Sequence, residues 1–252
     1  MQVIEGVDAL RPEVGPVFVV VGVFDGMHLG HTYLIDHLIA ESEVRSAHPT
    51  VITFDHHPDQ VLMGTAPALL LDAGERLERL AAAKVEVTVV QHFDEALRET
   101  PYDVFVDRIR AQVALTGFLM TPDAAFGFER RGTPDALTEL GAREGFDVVV
   151  VPTFTLDDRD VRSSSIRACI ASGDLAGAGR LLGRPVTITG TTGGAAGGVS
   201  RLDFDLPVAL PPDGDYPVTV EGTVSTLRIA RGEAYLLGDL SKGRVTVALG
   251  GG

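Results

Sequence analysis

The clearest hydrophobic pattern in the chain opens at Val17, where seven of the eight residues of VFVVVGVF are Val or Phe. An unbroken apolar run of that length, rich in β-branched side chains, reads as a strand buried on both faces. The same reading predicts strands at PTVITF, VEVTVV, LTGFLM and FDVVVVP. Between them, apolar residues recur at helical spacing. Leu34, Ile35, Leu38 and Ile39 do so after His31; Leu77, Leu80 and Ala81 after Asp72; Val104, Phe105, Ile109 and Val113 after Pro101. Strand–helix alternation predicts an α/β, Rossmann-like open parallel sheet with helices on both faces. Ligands of such sheets lie beyond the carboxyl ends of the strands. Asp25–His31, which follows the first apolar run, is therefore expected at a binding crevice.

Beyond Asp157 the pattern changes. SSSIRACIASG and DLAGAGRLLG read as two short helices, stopped by Gly173 and Gly183. After Pro185 the chain becomes Gly/Thr-rich and then alternates short β-like runs, YPVTVEGTVSTLRI, EAYLLG and RVTVALG, with turn residues. This predicts a small, all-β, barrel-like unit, with the terminal GGG frayed. The expected organisation is an α/β domain over 1–156, a helical connecting segment over 157–185 and a β domain over 186–252.

Composition narrows the classes of partner. The 252 residues carry a net charge of -14, which repels phosphate backbones and argues against nucleic acid. A local positive pocket can still bind a small phosphate. The single cysteine, Cys169, permits no intramolecular disulfide and fits a reducing compartment. The N-terminal MQVIEGVDALRPE lacks the basic-then-apolar layout of a signal peptide, and no apolar run reaches the ~20 residues of a membrane span. The expectation is a soluble cytoplasmic protein with no membrane partner; a homo-oligomer is compatible with the sequence.

Candidate chemistry concentrates after the first strand. A strand entering a glycine turn at a helix start offers unpaired N–H groups and the positive end of a helix dipole. Gly26 and Gly30 let the backbone approach a phosphate. His28 and His31 can donate to its oxygens and stabilise charge as the phosphorus is attacked. Ser163 and Ser164 are good N-cap residues, leaving Arg167 one turn inside a helix, where a guanidinium can fork onto phosphate oxygens. Read alone, the latter set is also what a capping serine and a surface arginine would look like. Asp25 and Asp55 each follow a buried strand and should border the crevice, Asp25 as a helix cap or imidazole partner or, as the weaker alternative, a ligand of Mg²⁺. Cys169 reads as packing.

GVFDGMHLGH resembles the signature of the HIGH-type nucleotidylyltransferases, in particular the FMN adenylyltransferase module of bacterial FAD synthetases. TFDHHP is similar to that family's T-F-D-P-H-P, with His56 in place of Pro. TPDAAFGFERRG is similar to G-x-[DN]-F-x-F-G…G, with Thr121 and Ala124 replacing Gly and Phe. VRSSSIR is similar to I-S-S-T-x-I-R, with Arg162 in place of a serine. GDLAGAGRLLGRPVTITG resembles the link into the second module.

The resemblance implies transfer of AMP from ATP to FMN, giving FAD and pyrophosphate, with Mg²⁺ carried by the nucleotide and no metal ligands on the protein. It implies His28, His31 and Arg167 as catalytic residues. Phe24, Gly26, Gly30, Asp123, Ser163 and Ser164 would bind ATP; Asp55, His57, Pro58 and Phe126 would bind FMN. The second module of that family is a riboflavin kinase built around a P-T-A-N element. GGAAGGVSRLDFDLPVALPPDGDYPV lacks that element, which implies a degenerate barrel without kinase activity, although Glu233 in GEAYLLGDL aligns with the family's proposed base. Two alternatives stay open on the sequence: a different phosphorylated acceptor, and a non-catalytic flavin-nucleotide-binding regulator.

Overall fold

The structure, a computed structural model, describes residues 1–193, 197–238 and 242–249. The chain forms two compact units, and three separate stretches of sequence contribute to each. The first comprises Met1–Phe24, His31–Pro67 and Leu77–Phe154; the second comprises Asp25–Gly30, Ala68–Arg76 and the chain from Thr155 onward.

The first unit is built on six parallel strands: β1 (Gln2–Glu5), β2 (Val17–Val21), β3 (His48–Phe54), β4 (Val87–Gln91), β5 (Leu115–Met120) and β6 (Asp147–Val150). Their order is β1-β4-β3-β2-β5-β6, with every pair parallel. The helices that follow these strands are α1 (Leu29–Val44), α2 (Pro58–Met63), α3 (Ala73–Ala82), α4 (Glu95–Arg98), α5 (Tyr102–Arg110) and α6 (Pro134–Glu144). The five predicted strands are present, and the predicted helical stripes fall on α1, α3 and α5. The central runs are apolar because both faces of a parallel sheet are covered; residues Val17–Val19 and Val51–Ile52 are fully buried, in or beside a core that includes Phe105, Ile109 and Phe118.

Several expectations are corrected. β2 stops at Val21, short of the apolar run that predicted it, and the run ends at Phe24 in a left-handed backbone (φ 54°) outside the ladder. Val104 points to solvent, at 46% exposure, and the buried side of α5 is Phe105, Val106 and Ile109. Val113 is buried but lies past the end of that helix. β1 was not foreseen, since four residues with one buried side chain carry no readable period.

In the second unit a short hairpin, β7 (Thr155–Leu156) and β8 (Arg159–Asp160), precedes α7 (Ser163–Ser172) and α8 (Leu175–Leu182). Gly173 and Gly183 end these helices in the left-handed conformation, as expected. Six strands then close a barrel: β9 (Val186–Thr192), β10 (Val199–Asp203), β11 (Gly214–Val220), β12 (Thr223–Ala230), β13 (Glu233–Leu237) and β14 (Gly243–Leu249). YPVTVEGTVSTLRI is not one run but the hairpin β11–β12. Glu221-Gly222 and Arg231-Gly232 both hold positive φ at successive residues, the two-residue turn whose twist matches the strands it joins. Ile166, Ile170 and Leu182 of the two helices share one core with Leu227, Leu236 and Val247 of the barrel. Residues 194–196 of the Gly/Ala run, Asp239 and Leu240 of GEAYLLGDL, and the GGG tail lie outside the described residues.

Candidate active site

The turn after β2 is held in an uncommon conformation. Phe24 and Met27 both have positive φ, 54° and 39°, although neither is glycine and both are buried. Such residues cost on the order of 1–3 kcal/mol each, persist only where the surroundings over-determine them, and cluster at functional sites. Gly26 between them is also left-handed (φ 91°), and a Cβ there would lie 2.8 Å from a Leu70 methyl. Gly30 has ordinary backbone angles, but a Cβ on it would lie 3.2 Å from two atoms of the His28 ring and from the Val161 carbonyl. Both predicted glycines thus have a local packing reason.

His28 directly precedes α1 and is 5% exposed. Burial, then the nearby positive charges of Arg184 and Arg167, push its imidazole down to about 4. At neutral pH it is therefore a neutral hydrogen-bonding group next to two guanidinium charges. Arg184 is fixed by donating to the carbonyls of Gly26, at 2.7 Å, and Pro185, at 3.1 Å. Arg167 donates through Nε to the Ala68 carbonyl at 2.7 Å and pairs through Nη2 with Asp25 at 2.5 Å.

Asp25, 3% exposed, is the hub of this part of the second unit. One carboxylate oxygen accepts from the backbone N–H of Leu70 and Leu71 at 2.9 and 3.2 Å, and the other accepts from Arg167. It neither caps α1 nor orients an imidazole, contrary to expectation, because a carboxylate this deeply buried is committed to the cation and N–H groups that offset its desolvation. The Asp25 carbonyl in turn accepts from the Ser163 hydroxyl at 2.8 Å. Ser163 is therefore not the N-cap of α7 but its first residue. Arg162 occupies the cap, makes no side-chain cap bond, and pairs with Asp160 at 2.7 Å. Ser164 is exposed at the helix start. Turn and α7 are thus locked together by Asp25–Arg167 and Ser163–Asp25.

The first unit holds the other predicted residues. The His31 ring lies against the Phe24 ring, centroids 5.0 Å apart. Phe24, assigned to ATP on the resemblance, is 1% exposed and packs against that imidazole. Thr53 of TFDHHP is fully buried and donates to the Val23 carbonyl at 3.0 Å, tying the end of β3 to the loop after β2. Beyond these strand ends lies a groove of about 600 Å³, lined largely by apolar side chains such as Val21, Phe54, Pro58, Phe93 and Phe126. Ala124, where the resembling family has Phe, is part of its wall. Phe126 packs against Phe105 and Phe118, both at 5.7 Å between ring centroids.

Of the residues assigned to FMN, Pro58 and Phe126 line the groove; Asp55 and His57 do not. His57 is the N-cap of α2, its Nδ1 accepting from the Asp59 N–H at 3.2 Å. Asp55 accepts from the N–H of His56 and Phe93 and faces the His92 imidazole at 2.6 Å. Burial opposes its charge, but the hydrogen bonds from His92, Phe93 and His56 prevail and hold its carboxyl at about 2. Asp123 is exposed after β5 and accepts from the Thr121 hydroxyl at 2.9 Å.

Sequence reasoning missed Arg184, whose only signal was the Gly-Arg-Pro link, and it missed Phe93, Arg98 and Arg130 in the groove wall. Phe93, Arg98 and Arg130 are separated in sequence and meet in the groove wall because adjacent strands of the sheet end side by side.

The family model for FAD synthetase matches residues 11–165. The chain is 33% identical over 192 residues to the bifunctional riboflavin kinase/FMN adenylyltransferase of Haemophilus influenzae, covering 75% of this chain and 62% of that protein. It is 33% identical over 196 residues to the protein of that description from Pseudomonas fluorescens, covering 75% and 61%. Against the one from Escherichia coli the identity is 30% over 194 residues, covering 75% and 62%. The matched region thus spans about three fifths of these curated relatives. Among solved structures, a macrolide-efflux protein from Streptococcus pneumoniae superposes with a TM-score of 0.82 at 20% identity, covering 99% of this chain and 90% of that one; the likeness is one of fold. On the match over residues 11–165, the chain belongs to the FAD synthetase family.

Proposed function

We propose that the chain transfers the adenylyl group of ATP to FMN. An FMN phosphate oxygen attacks the α-phosphorus in line, a new P–O–P bridge forms, the α–β bridge breaks, and pyrophosphate leaves with the electron pair. The observation that carries this reading is the buried His28 at a strand-to-helix turn whose Gly26 carbonyl and Asp25 carboxylate hold the guanidinium groups of Arg184 and Arg167. Such a turn suits a polyphosphate: the guanidinium groups supply charge and the imidazole supplies a directed hydrogen bond, with little reorganisation needed during reaction. His31, three residues further on, is the second imidazole donor, positioned by Phe24. Ser164 and the first N–H groups of α7 suit the leaving phosphates. The groove beside Phe54, Pro58 and Phe126 has the volume and aromatic walls to take an isoalloxazine ring.

Mg²⁺ enters this reading as part of the nucleotide. Asp25 does not fit as its ligand, because both carboxylate oxygens are already engaged by Arg167, Leu70 and Leu71. No step is assigned to a protein-bound magnesium. In the barrel, Glu233 hydrogen-bonds Tyr235 and pairs with Arg201 at 3.2 Å. Without a P-T-A-N element we read this unit as not phosphorylating riboflavin.

The test supplies ATP and Mg²⁺ with either FMN or riboflavin and identifies products by mass. FAD is expected from FMN alone. The double substitution His28→Ala, His31→Ala should reduce FAD formation to background with the fold intact by circular dichroism; undiminished FAD formation by that variant would refute the assignment.

A further inference from the structure

We propose that Asp55, His56 and His92 form a binding site for a divalent transition-metal ion of the zinc class. Their ligand atoms all lie within 4.8 Å of one another. The arrangement is set by the sheet. Phe54 and Gln91 are register partners at the ends of the parallel strands β3 and β4, so Asp55 and His92 are the next residues out from adjacent strand ends. The Asp55 N–H donates to the Gln91 carbonyl at 3.2 Å, which keeps the two exits together.

The carboxylate is oriented before any ion arrives. Its Oδ1 accepts from the backbone N–H of His56 at 2.7 Å and of Phe93 at 3.1 Å, turning Oδ2 toward His92 Nδ1 at 2.6 Å. His56 Nδ1 approaches the same carboxylate at 3.1 Å. Two imidazole nitrogens and one carboxylate oxygen are a donor set for zinc, cobalt or nickel, whose bonds of ~2.0–2.2 Å need only a modest spreading of these atoms. Magnesium and calcium prefer all-oxygen shells and are disfavoured here. His56 and His92 are partly exposed, at 43% and 63% of their side-chain surface, so water can complete the coordination.

The site is separate from the groove but joined to its wall. Phe54 precedes Asp55, Phe93 follows His92, and the two rings meet edge to face at 5.2 Å where they line the groove. An ion bridging Asp55 and His92 would therefore pin both aromatic walls. The inference does not depend on the proposed reaction, and its readout is binding.

The test titrates the full chain, stripped by a chelator, with Zn²⁺ by calorimetry and with Co²⁺ by visible absorption. One equivalent is expected, with Co²⁺ showing the ligand-field bands of nitrogen–oxygen coordination and Zn²⁺ raising the melting temperature. His92→Ala and His56→Ala should each weaken binding by about tenfold or more. His48→Ala is the control, since His48 also faces a carboxylate, Glu86, at 2.5 Å but has no third ligand among the described residues; it should bind as the parent does. Circular dichroism verifies that each variant is folded. Unchanged affinity in both site variants, an equal loss in His48→Ala, or the absence of saturable one-to-one binding would overturn the proposal.

Discussion

His28 shows how a single residue couples stability to chemistry. Its imidazole is held at about 4 in the folded chain against 6.5 when free, so between these values the unfolded chain binds more protons. Stability attached to this residue is therefore fully present above pH 6.5 and lost as pH falls toward 4, by about 3 kcal/mol in total. Denaturant melts of the parent and His28→Gln at pH 7 and pH 4.5 should show a smaller pH penalty in the variant; equal penalties would contradict the assignment. Gly30 offers a second residue-scale test. Gly30→Ala stabilises by roughly 0.4–1 kcal/mol through the unfolded chain's entropy, yet its Cβ would press on the His28 ring and the Val161 carbonyl, each at 3.2 Å. FAD formation should fall about 10- to 100-fold while the melting temperature holds or rises.

At the scale of elements, the segment that follows the end of β5 exposes part of the groove wall. Phe128 lines the groove and is 38% exposed. Phe128→Ala should raise the KM for FMN by about 3- to 10-fold, the worth of one aromatic contact, with little change in kcat or melting temperature. A fall in kcat at unchanged KM would place the flavin elsewhere. Much at this scale was legible: Val-rich runs fixed five strands of the sheet, since only burial on both faces permits such composition, and Gly173 and Gly183 marked two helix ends. The N-cap of α7 was not legible. Ser163 has the chemistry of a cap, but the Asp25 carbonyl claims its hydroxyl from 138 positions away in sequence. Likewise the hairpin β11–β12 hid inside one alternating run, because its turn residues Glu221-Gly222 interrupt the pattern by only two positions.

At the scale of the whole molecule, two units draw on interleaved stretches of chain. Asp25–Gly30 and Ala68–Arg76 fold with the barrel-bearing unit although they lie within the sequence of the sheet. Buried Glu75 accepts from the Thr187 and Thr189 hydroxyls, both at 2.7 Å, which joins the second of these stretches to β9. Among the described residues no helix is long and apolar enough to cross a membrane. A riboflavin-only reaction followed by mass analysis should give no FMN; its appearance would show that the barrel retains a phosphoryl-transfer site by another route.

The sequence by itself determined the strand–helix alternation, the position of the turn that carries His28 and His31, and the family signature, because these depend on local composition and spacing. Tertiary structure alone decided which charges meet. Burial, and then Arg184 and Arg167, lower His28; Asp25 is committed to Arg167, and Asp55 faces His92 across two strand ends. Those pairings join residues dozens to more than a hundred positions apart, and what selects them is the cost of leaving a buried charge or N–H without a partner once the strands have been ordered.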